Sequence, residues 1–209
     1  MAFIRTIPPS EAQGAVREMY ARQQAIYGFI PNYAKVFSVR PGVMERWGKL
    51  LSEIRRTVEP RRFELVTFAA AHALRNSYCS LAHGKALTAF LGEDDIRALA
   101  EQQDGDSLSP ADKEIVRFAR KVAIDASSIT QEDITGLRHY GLEDDEIFDI
   151  AAVAAGRSFF TKILDSTGAE ADIGHARMGA TLKQSLTVGK PITQRENEIL
   201  PEAEEQAAA

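Results

Sequence analysis

Residues 64–85 read ELVTFAAAHALRNSYCSLAHGK and contain Cys79, the only cysteine of this 209-residue chain. Apolar positions recur at helical spacing through the stretch, and Asn76-Ser77 interrupts them with two residues that favour helix starts over helix interiors. We expect one helix to end there and another to begin, with Ser77 as its N-cap and Cys79 in its first turn. A side chain in the first turn of a helix lies near unpaired N–H groups and the positive end of the helix dipole. Both stabilise an anion, so the pattern favours the thiolate form of Cys79.

Polar side chains accompany the cysteine at helical spacing. His83 follows Cys79 by four residues and is therefore expected over the same helix face. Glu64 precedes His72 by about two turns, so Glu64, His72 and Asn76 can form a stripe that points at the helix break. A lone cysteine is usually a buried packing residue, and a histidine often only satisfies a carbonyl or lies exposed. The residues alone therefore leave a structural and a functional interpretation open.

The same side chains belong to the types that bind metal ions. Carboxylate, imidazole and thiolate groups are all present, in Glu64, His72, Cys79 and His83. Their spacing matches no common closed metal site, and the chain has no glycine-rich phosphate loop or other cofactor motif. We expect neither a metal nor a cofactor.

The chain repeats itself at an offset of 50 residues. Residues 60–69, PRRFELVTFA, resemble residues 110–119, PADKEIVRFA, and about a quarter of the forty positions from Pro60 onward are identical at this offset. Each copy, at about 60–100 and 110–150, reads as a helix, a break, a helix and a short acidic-capped helix. The second copy has Ile129 where the first has Cys79, so the repeat accounts for the scaffold and not for the polar cluster.

The fold class follows from periodicity along the whole chain. Helices are predicted after a capping-box pattern at residues 10–13, at 33–37, from Pro41 to about Thr57, and from about Glu143 to Leu164. No stretch of useful length alternates like a strand, so we expect an all-α protein. Residues 1–174 are predicted to form one domain and residues 175–209 a tail, helical only in part, that docks on a neighbour or stays mobile.

Composition narrows the class of partner. The net charge is −5 and the pI about 5.5, which argues against nucleic-acid binding. The arginines at 55, 56, 61 and 62 are interpreted as a solvated or subunit-contacting face. No apolar run is long enough to span a membrane and no signal peptide is evident, so we expect no membrane partner and a cytoplasmic protein.

The motif Glu64…Asn76-Ser-Tyr-Cys79-Ser-Leu-Ala-His83 resembles the core motif of the alkylhydroperoxidase D / carboxymuconolactone decarboxylase family. In alkylhydroperoxidase D-like members, that motif is a glutamate, a CxxC pair, and a histidine four residues after the second cysteine. The stretches Tyr27-Gly-Phe-Ile-Pro-Asn32 and Arg157-Ser-Phe-Phe-Thr-Lys-Ile-Leu-Asp165 resemble the peroxidase-related branch. The likeness covers about residues 15–172 and implies an all-helical fold with a duplicated core that forms homo-oligomers, commonly dimers, trimers or hexamers.

The resemblance also implies a chemistry. Cys79 matches the cysteine that attacks peroxide, with His83 and Glu64 as proton relay and with Tyr78, Asn76 and His72 in support. Asn76 occupies the position of the first cysteine, which in two-cysteine enzymes resolves the sulfenic acid.

These matches predict an alkylhydroperoxidase-like antioxidant oxidoreductase that reduces a small peroxide through Cys79 with an external thiol reductant of unknown identity. One alternative is a decarboxylase or other acid–base enzyme that uses Glu64 and His83 on the same fold. Another is a non-catalytic oligomeric module in which Cys79 and the histidines only pack.

Overall fold

A computed structural model describes residues 2–103 and 108–201, and within them the chain forms ten α-helices and no β-strand. The helices are α1 (Gly14–Tyr27), α2 (Asn32–Phe37), α3 (Pro41–Thr57), α4 (Pro60–Ala73), α5 (Ser77–Leu87), α6 (Glu93–Ala100), α7 (Pro110–Asp125), α8 (Gln131–His139), α9 (Asp144–Thr167) and α10 (Ala180–Leu186). The predicted all-α class is confirmed. No helix in the described ranges is long and apolar enough to cross a bilayer. Residues 104–107 of the predicted polar loop and 202–209 of the predicted tail lie outside the described residues.

Helix α4 is the centre of the molecule. It packs against α5, α7 and α9, and residues 63–71 are buried without interruption. A helix that is apolar around most of its circumference belongs in a core. Glu64 is the charged residue in this run, so its carboxylate is carried into the interior by the most buried helix of the fold.

The predicted repeat appears as two successive three-helix units, α4–α5–α6 and α7–α8–α9, in the same order. Pro60 and Pro110 occupy the first turns of α4 and α7, where a missing N–H costs nothing. After these first helices the two copies differ. In the second copy a 3₁₀ turn at Ala126–Ser128 precedes α8, which begins only at Gln131, and α9 is 24 residues long.

The clustered arginines at the start of α4 connect the two copies. Arg61 donates two parallel hydrogen bonds to Asp112 on α7, at 2.8 and 2.9 Å, and Arg62 lies 2.6 Å from Glu146 on α9. The interpretation of this cluster as a solvated or subunit-contacting face was therefore wrong for Arg61 and Arg62, because both are used within the chain.

The first helix begins later than predicted. Residues 9–11 form a 3₁₀ turn, and α1 starts at Gly14 and ends at Tyr27, with Gly28 as its C-cap. Gly28 has φ 78°, the left-handed conformation that a helix-terminating glycine adopts at low cost.

The described part of the predicted tail packs on the same chain. Helix α10 contacts α5 and α6, and its Leu182 and Leu186 are buried. Beyond α10, the Gly189 N–H donates to the Ser77 hydroxyl at 2.8 Å, and isolated β-bridges join Ile30 to Glu198 and Ala171 to Ile192. The segment thus closes over the start of α5, while the domain boundary at residue 174 stays a prediction.

Candidate active site

The break between α4 and α5 is built by Arg75 and Asn76. Arg75 adopts φ 59°, and the Asn76 side-chain oxygen accepts a hydrogen bond from the Cys79 N–H at 2.8 Å. The N-cap is therefore Asn76 and not Ser77, because Asn76 has the extended backbone of a cap whereas Ser77 is already helical. Cys79 does lie in the first turn of α5, as the sequence predicted.

The Cys79 thiol is almost closed off from solvent. The residue is 2% exposed, and Arg157 of α9 donates from Nη1 to Sγ at 3.4 Å. Burial raises the pKa of the thiol, and the nearby Asp165 raises it further, whereas the Arg157 charge and hydrogen bond lower it without overcoming burial. The resting residue is a neutral thiol, so the thiolate expected from the helix start alone is not the resting state.

Glu64 and His83 form a hydrogen-bonded pair between α4 and α5. The His83 Nδ1 lies 2.6 Å from Glu64 Oε2. Burial acts to raise the pKa of Glu64, but the His83 hydrogen bond and the charges of Arg55 and Arg157 outweigh it and the pKa is lowered. Burial lowers the pKa of His83. A carboxylate that accepts from Nδ1–H leaves Nε2 of the neutral ring as a free proton acceptor.

A cavity of about 340 Å³ brings these groups together. Cys79, Glu64, His83 and Arg157 all line it. The rest of the wall is mostly aromatic or apolar and is formed by Tyr27, Tyr33, Met44, Trp47, Leu51, Arg55, Phe63, Tyr78, Ala82, Ala86 and Phe160. The predicted catalytic residues therefore line one cavity.

Arg157 was not assigned to the site from the sequence. It follows the small-residue run at 150–156 on α9 and is 5% exposed. Gly156 before it lies against Trp47, where an added Cβ would meet the indole at 3.0 Å, so the small residues let α3 and α9 approach closely. Arg157 is the only charged residue between Asp149 and Lys162, in an otherwise apolar part of the helix, and this was the sequence signal for a buried functional arginine.

Tyr78 is held by a residue that sequence reasoning missed. Its hydroxyl donates to the Asp172 carboxylate, and Asp172 also accepts from the Asn32 N–H at 2.9 Å. Burial and the Asp172 charge raise the pKa of Tyr78 far above the ordinary value, and burial raises that of Asp172. Tyr78 keeps its proton and serves as a wall of the cavity rather than as an acid.

The other supporting residues have different partners from those expected. Asn76 uses its oxygen on the Cys79 N–H, and its amide nitrogen lies 3.5 Å from the Thr161 carbonyl. His72 lies 3.2 Å from the Ser185 carbonyl of α10 and does not line the cavity. His72 does not join Glu64 at the cavity as the predicted stripe required, because its ring is directed to the Ser185 carbonyl instead. Within residues 2–103 and 108–201, no group of three or more His, Cys, Asp or Glu side chains is arranged to hold a metal ion.

Fold and site define an all-α protein with a duplicated helical core and one buried cysteine beside a glutamate–histidine pair. The model of the carboxymuconolactone decarboxylase family matches residues 41–121, from α3 into α7, and confirms the family resemblance for this part of the chain. No curated protein sequence matches the chain.

Several solved structures have the same fold. An uncharacterised peroxidase-related protein from Ralstonia eutropha JMP134, with an alkylhydroperoxidase AhpD core, aligns at TM-score 0.71 and 19% identity, over 90% of this chain and 98% of its own. A peroxidase-related protein from Silicibacter sp. TM1040 aligns at 0.69 and 17%, over 82% and 93%. A cysteine-to-alanine variant of the debrominase Bmp8, in complex with 2,3,4-tribromopyrrole, aligns at 0.66 and 15%, over 89% and 98%. At these identities the likeness establishes the fold.

Proposed function

We propose that this protein is an alkylhydroperoxidase-like antioxidant enzyme that reduces hydroperoxides through Cys79 and an external thiol. The observation that supports it most is the Arg157–Cys79 contact at 3.4 Å inside the cavity that also holds the Glu64–His83 pair. A nucleophile needs a base to take its proton and a charge to stabilise its anion, and this cavity supplies both.

The first half-reaction begins with a proton transfer. His83 Nε2 takes the proton of the Cys79 thiol, while Glu64 holds the ring in the required tautomer and stabilises the imidazolium. The Arg157 guanidinium stabilises the thiolate. Sγ then attacks the terminal peroxide oxygen, the O–O bond breaks, and the leaving alkoxide takes the proton back from His83. The products are an alcohol and a Cys79 sulfenic acid.

The second half-reaction needs two external thiols, because Cys79 is the only cysteine. The first thiol condenses with the sulfenic acid, forms a mixed disulfide and releases water. The second attacks the mixed disulfide, which regenerates the Cys79 thiol and leaves an oxidised disulfide as product. Asn76 takes no part in this step.

Sulfenic-acid trapping tests the proposal. The protein is treated with hydrogen peroxide or cumene hydroperoxide in the presence of dimedone, and Cys79 is analysed by mass spectrometry. We expect a dimedone adduct on Cys79 and none in Cys79→Ser. Turnover of hydroperoxide in excess dithiothreitol should be lost in the same variant. The proposal fails if native Cys79 stays unmodified while the denatured protein reacts.

Acid–base chemistry is the second candidate, favoured by the Glu64–His83 contact at 2.6 Å. A decarboxylase built on this pair needs no thiol, and the debrominase neighbour illustrates that the fold carries more than one activity. Cys79→Ser would then leave turnover of a carboxylated lactone largely intact, whereas Glu64→Gln would abolish it. A non-catalytic module would show no turnover in either assay, and oxidation of Cys79 would change only stability.

We also propose that the chain works in the cytoplasm as a homo-oligomer, which the family resemblance supports. Light scattering coupled to size-exclusion chromatography measures the assembly directly. A monomeric mass across micromolar concentrations would contradict this part of the proposal.

A further inference from the structure

The cavity contains an arginine without an acidic partner. Arg157 forms no ion pair with any described carboxylate, and its Nη1 donates a hydrogen bond to the Cys79 sulfur. Its Cζ lies 5.4 Å from the centroid of the Phe160 ring, and its buried Nε has no hydrogen-bond partner among the described residues. Burying a charge is costly unless an opposite charge or hydrogen bonds compensate it.

The acidic residues around Arg157 are engaged elsewhere. Glu64 accepts from His83. Asp165 pairs with Lys190, at 3.7 Å. Asp172 accepts from Tyr78 and from the Asn32 N–H. None of these three carboxylates hydrogen-bonds the Arg157 guanidinium in the described part of the chain.

A second guanidinium stands at the exposed side of the same cavity. Arg55 of α3 lies over the Phe63 ring, with 4.9 Å between Cζ and the centroid. Its nearest carboxylate oxygen is Glu64 Oε1 at 3.8 Å, beyond hydrogen-bond distance. Its side chain is 56% exposed. Arg55 therefore has donors available to a bound anion.

The charges that line the cavity do not balance. Arg55 and Arg157 carry two positive charges and Glu64 carries one negative charge, since the resting His83 and Cys79 are neutral. In the proposed reaction the proton of Cys79 moves to His83, so the thiolate balances Arg157 at the bottom of the cavity and Glu64 balances the His83 imidazolium. Arg55 at the mouth then remains without an anion of its own.

The aromatic walls of the cavity indicate what kind of molecule carries the anion that binds Arg55. Trp47 and Phe160 stack at 5.7 Å between centroids, and Tyr33 lies edge-on to Phe160 at 5.5 Å. A cavity of roughly 150 Å³ accommodates benzene, so about 340 Å³ has room for a ring with substituents at both ends.

We propose that the substrate is an amphipathic hydroperoxide whose peroxide end reaches Cys79 and Arg157, whose apolar body packs on the aromatic wall, and whose carboxylate binds Arg55 at the mouth. This inference rests on the proposed hydroperoxide reduction for its reactive group. The charge preference itself concerns binding and can be measured without turnover.

Binding is tested with unreactive analogues that differ in charge alone, 4-isopropylbenzoate and 4-isopropylbenzamide. Trp47 is the only tryptophan of the chain and lines the cavity, so its fluorescence reports occupancy. We expect the benzoate to bind about tenfold more tightly than the amide, as a hydrogen bond to a charged group allows. Arg55→Gln should remove the preference. Arg56→Gln, the matched control, should keep it, because Arg56 is 68% exposed and pairs with Glu53.

The rate of hydroperoxide turnover provides a second test of the inference. Cumene hydroperoxide and its para-carboxylated analogue are compared by kcat/KM, and Arg55→Gln should lower the ratio of the value for the carboxylated substrate to the value for the uncharged one. Equal binding of benzoate and benzamide, or a preference that survives Arg55→Gln, would overturn the inference. Binding preference without any peroxide turnover would leave the charge selectivity standing and refute the proposed peroxidase function instead.

Discussion

Arg157 Nη1 and Cys79 Sγ lie 3.4 Å apart although 78 positions separate the two residues. Cys79 lies on α5 of the first repeat copy and Arg157 on α9 of the second. The second copy lacks the cysteine and histidines of the first, yet it supplies the cation that contacts the thiol. The candidate site therefore depends on the packing of both copies around α4.

Replacing Arg157 tests whether its charge activates the thiol. Arg157→Gln should raise the pKa of Cys79 further, because the favourable charge is lost while burial persists. The rate of alkylation by iodoacetamide at slightly alkaline pH should fall about tenfold, in line with the loss of a charged hydrogen bond. Arg157→Lys keeps a charge and should show a smaller effect. An unchanged alkylation rate in Arg157→Gln would contradict the activating role.

The Glu64–His83 pair should control the proton transfer. His83→Asn or Glu64→Gln is expected to slow sulfenic acid formation about a hundredfold, the usual size of a general acid–base contribution. Stopped-flow peroxide oxidation of the thiol measures the rate. His72→Asn is the control, since His72 contacts Ser185 outside the cavity. If His72→Asn slowed the reaction as much as His83→Asn, a specific role for His83 would be untenable.

The pH dependence of thiol oxidation follows from the direction of two shifts. The pKa of His83 is lowered from its ordinary 6.5, so His83 stays an unprotonated base into mildly acidic solution, and the rate should fall only below that value. The pKa of Cys79 is raised above 9.0, so the rate should still increase in alkaline solution. Pre-steady-state oxidation rates across pH measure this profile. A rate that does not increase in alkaline solution would indicate a thiolate at rest and contradict the buried neutral thiol.

The sequence was informative where contacts are local. Helical periodicity and the repeat identified α4, α5 and α7, and the spacing of Cys79 and His83 placed both on one cavity wall. Arg157 and Asp172 were not predicted to belong to the site. Their contacts with Cys79 and Tyr78 depend on the tertiary packing of distant segments, which periodicity does not encode. His72 was misplaced for the same reason, since its ring is directed to the Ser185 carbonyl of α10.

The C-terminal segment should stabilise the start of α5 through Gly189. A Cβ at Gly189 would lie 2.1 Å from the Arg75 carbonyl oxygen, a backbone atom that cannot move aside cheaply. Gly189→Ala should therefore lower the free energy of unfolding by about 1–3 kcal/mol, the usual cost of overpacking. Urea denaturation measures the change, and faster reaction of Cys79 with a thiol reagent should accompany it. Gly174→Ala is the control, because a Cβ at Gly174 meets nothing within 4 Å. Equal stability of the two variants would show that the segment does not hold Gly189 against Arg75.

Asn76→Cys tests whether an external thiol must resolve the Cys79 sulfenic acid only because position 76 lacks sulfur; the disulfide formed in the variant would still need an external reductant. Position 76 is the N-cap of α5, and its side-chain oxygen already reaches the Cys79 N–H at 2.8 Å, so a thiol there lies in the same turn as Cys79. Peroxide should then produce a disulfide between the two cysteines, seen by mass spectrometry as the loss of two hydrogens, and dimedone should no longer trap Cys79.

The variant should also lose about 1 kcal/mol of unfolding free energy, because sulfur accepts a capping hydrogen bond poorly. Asn76→Ser is the matched control: its hydroxyl keeps the cap, so it should retain stability and still give the dimedone adduct. A sulfenic acid that persists in Asn76→Cys would mean that the helix start holds the two sulfurs apart, and that an external thiol is required by geometry rather than by the missing cysteine.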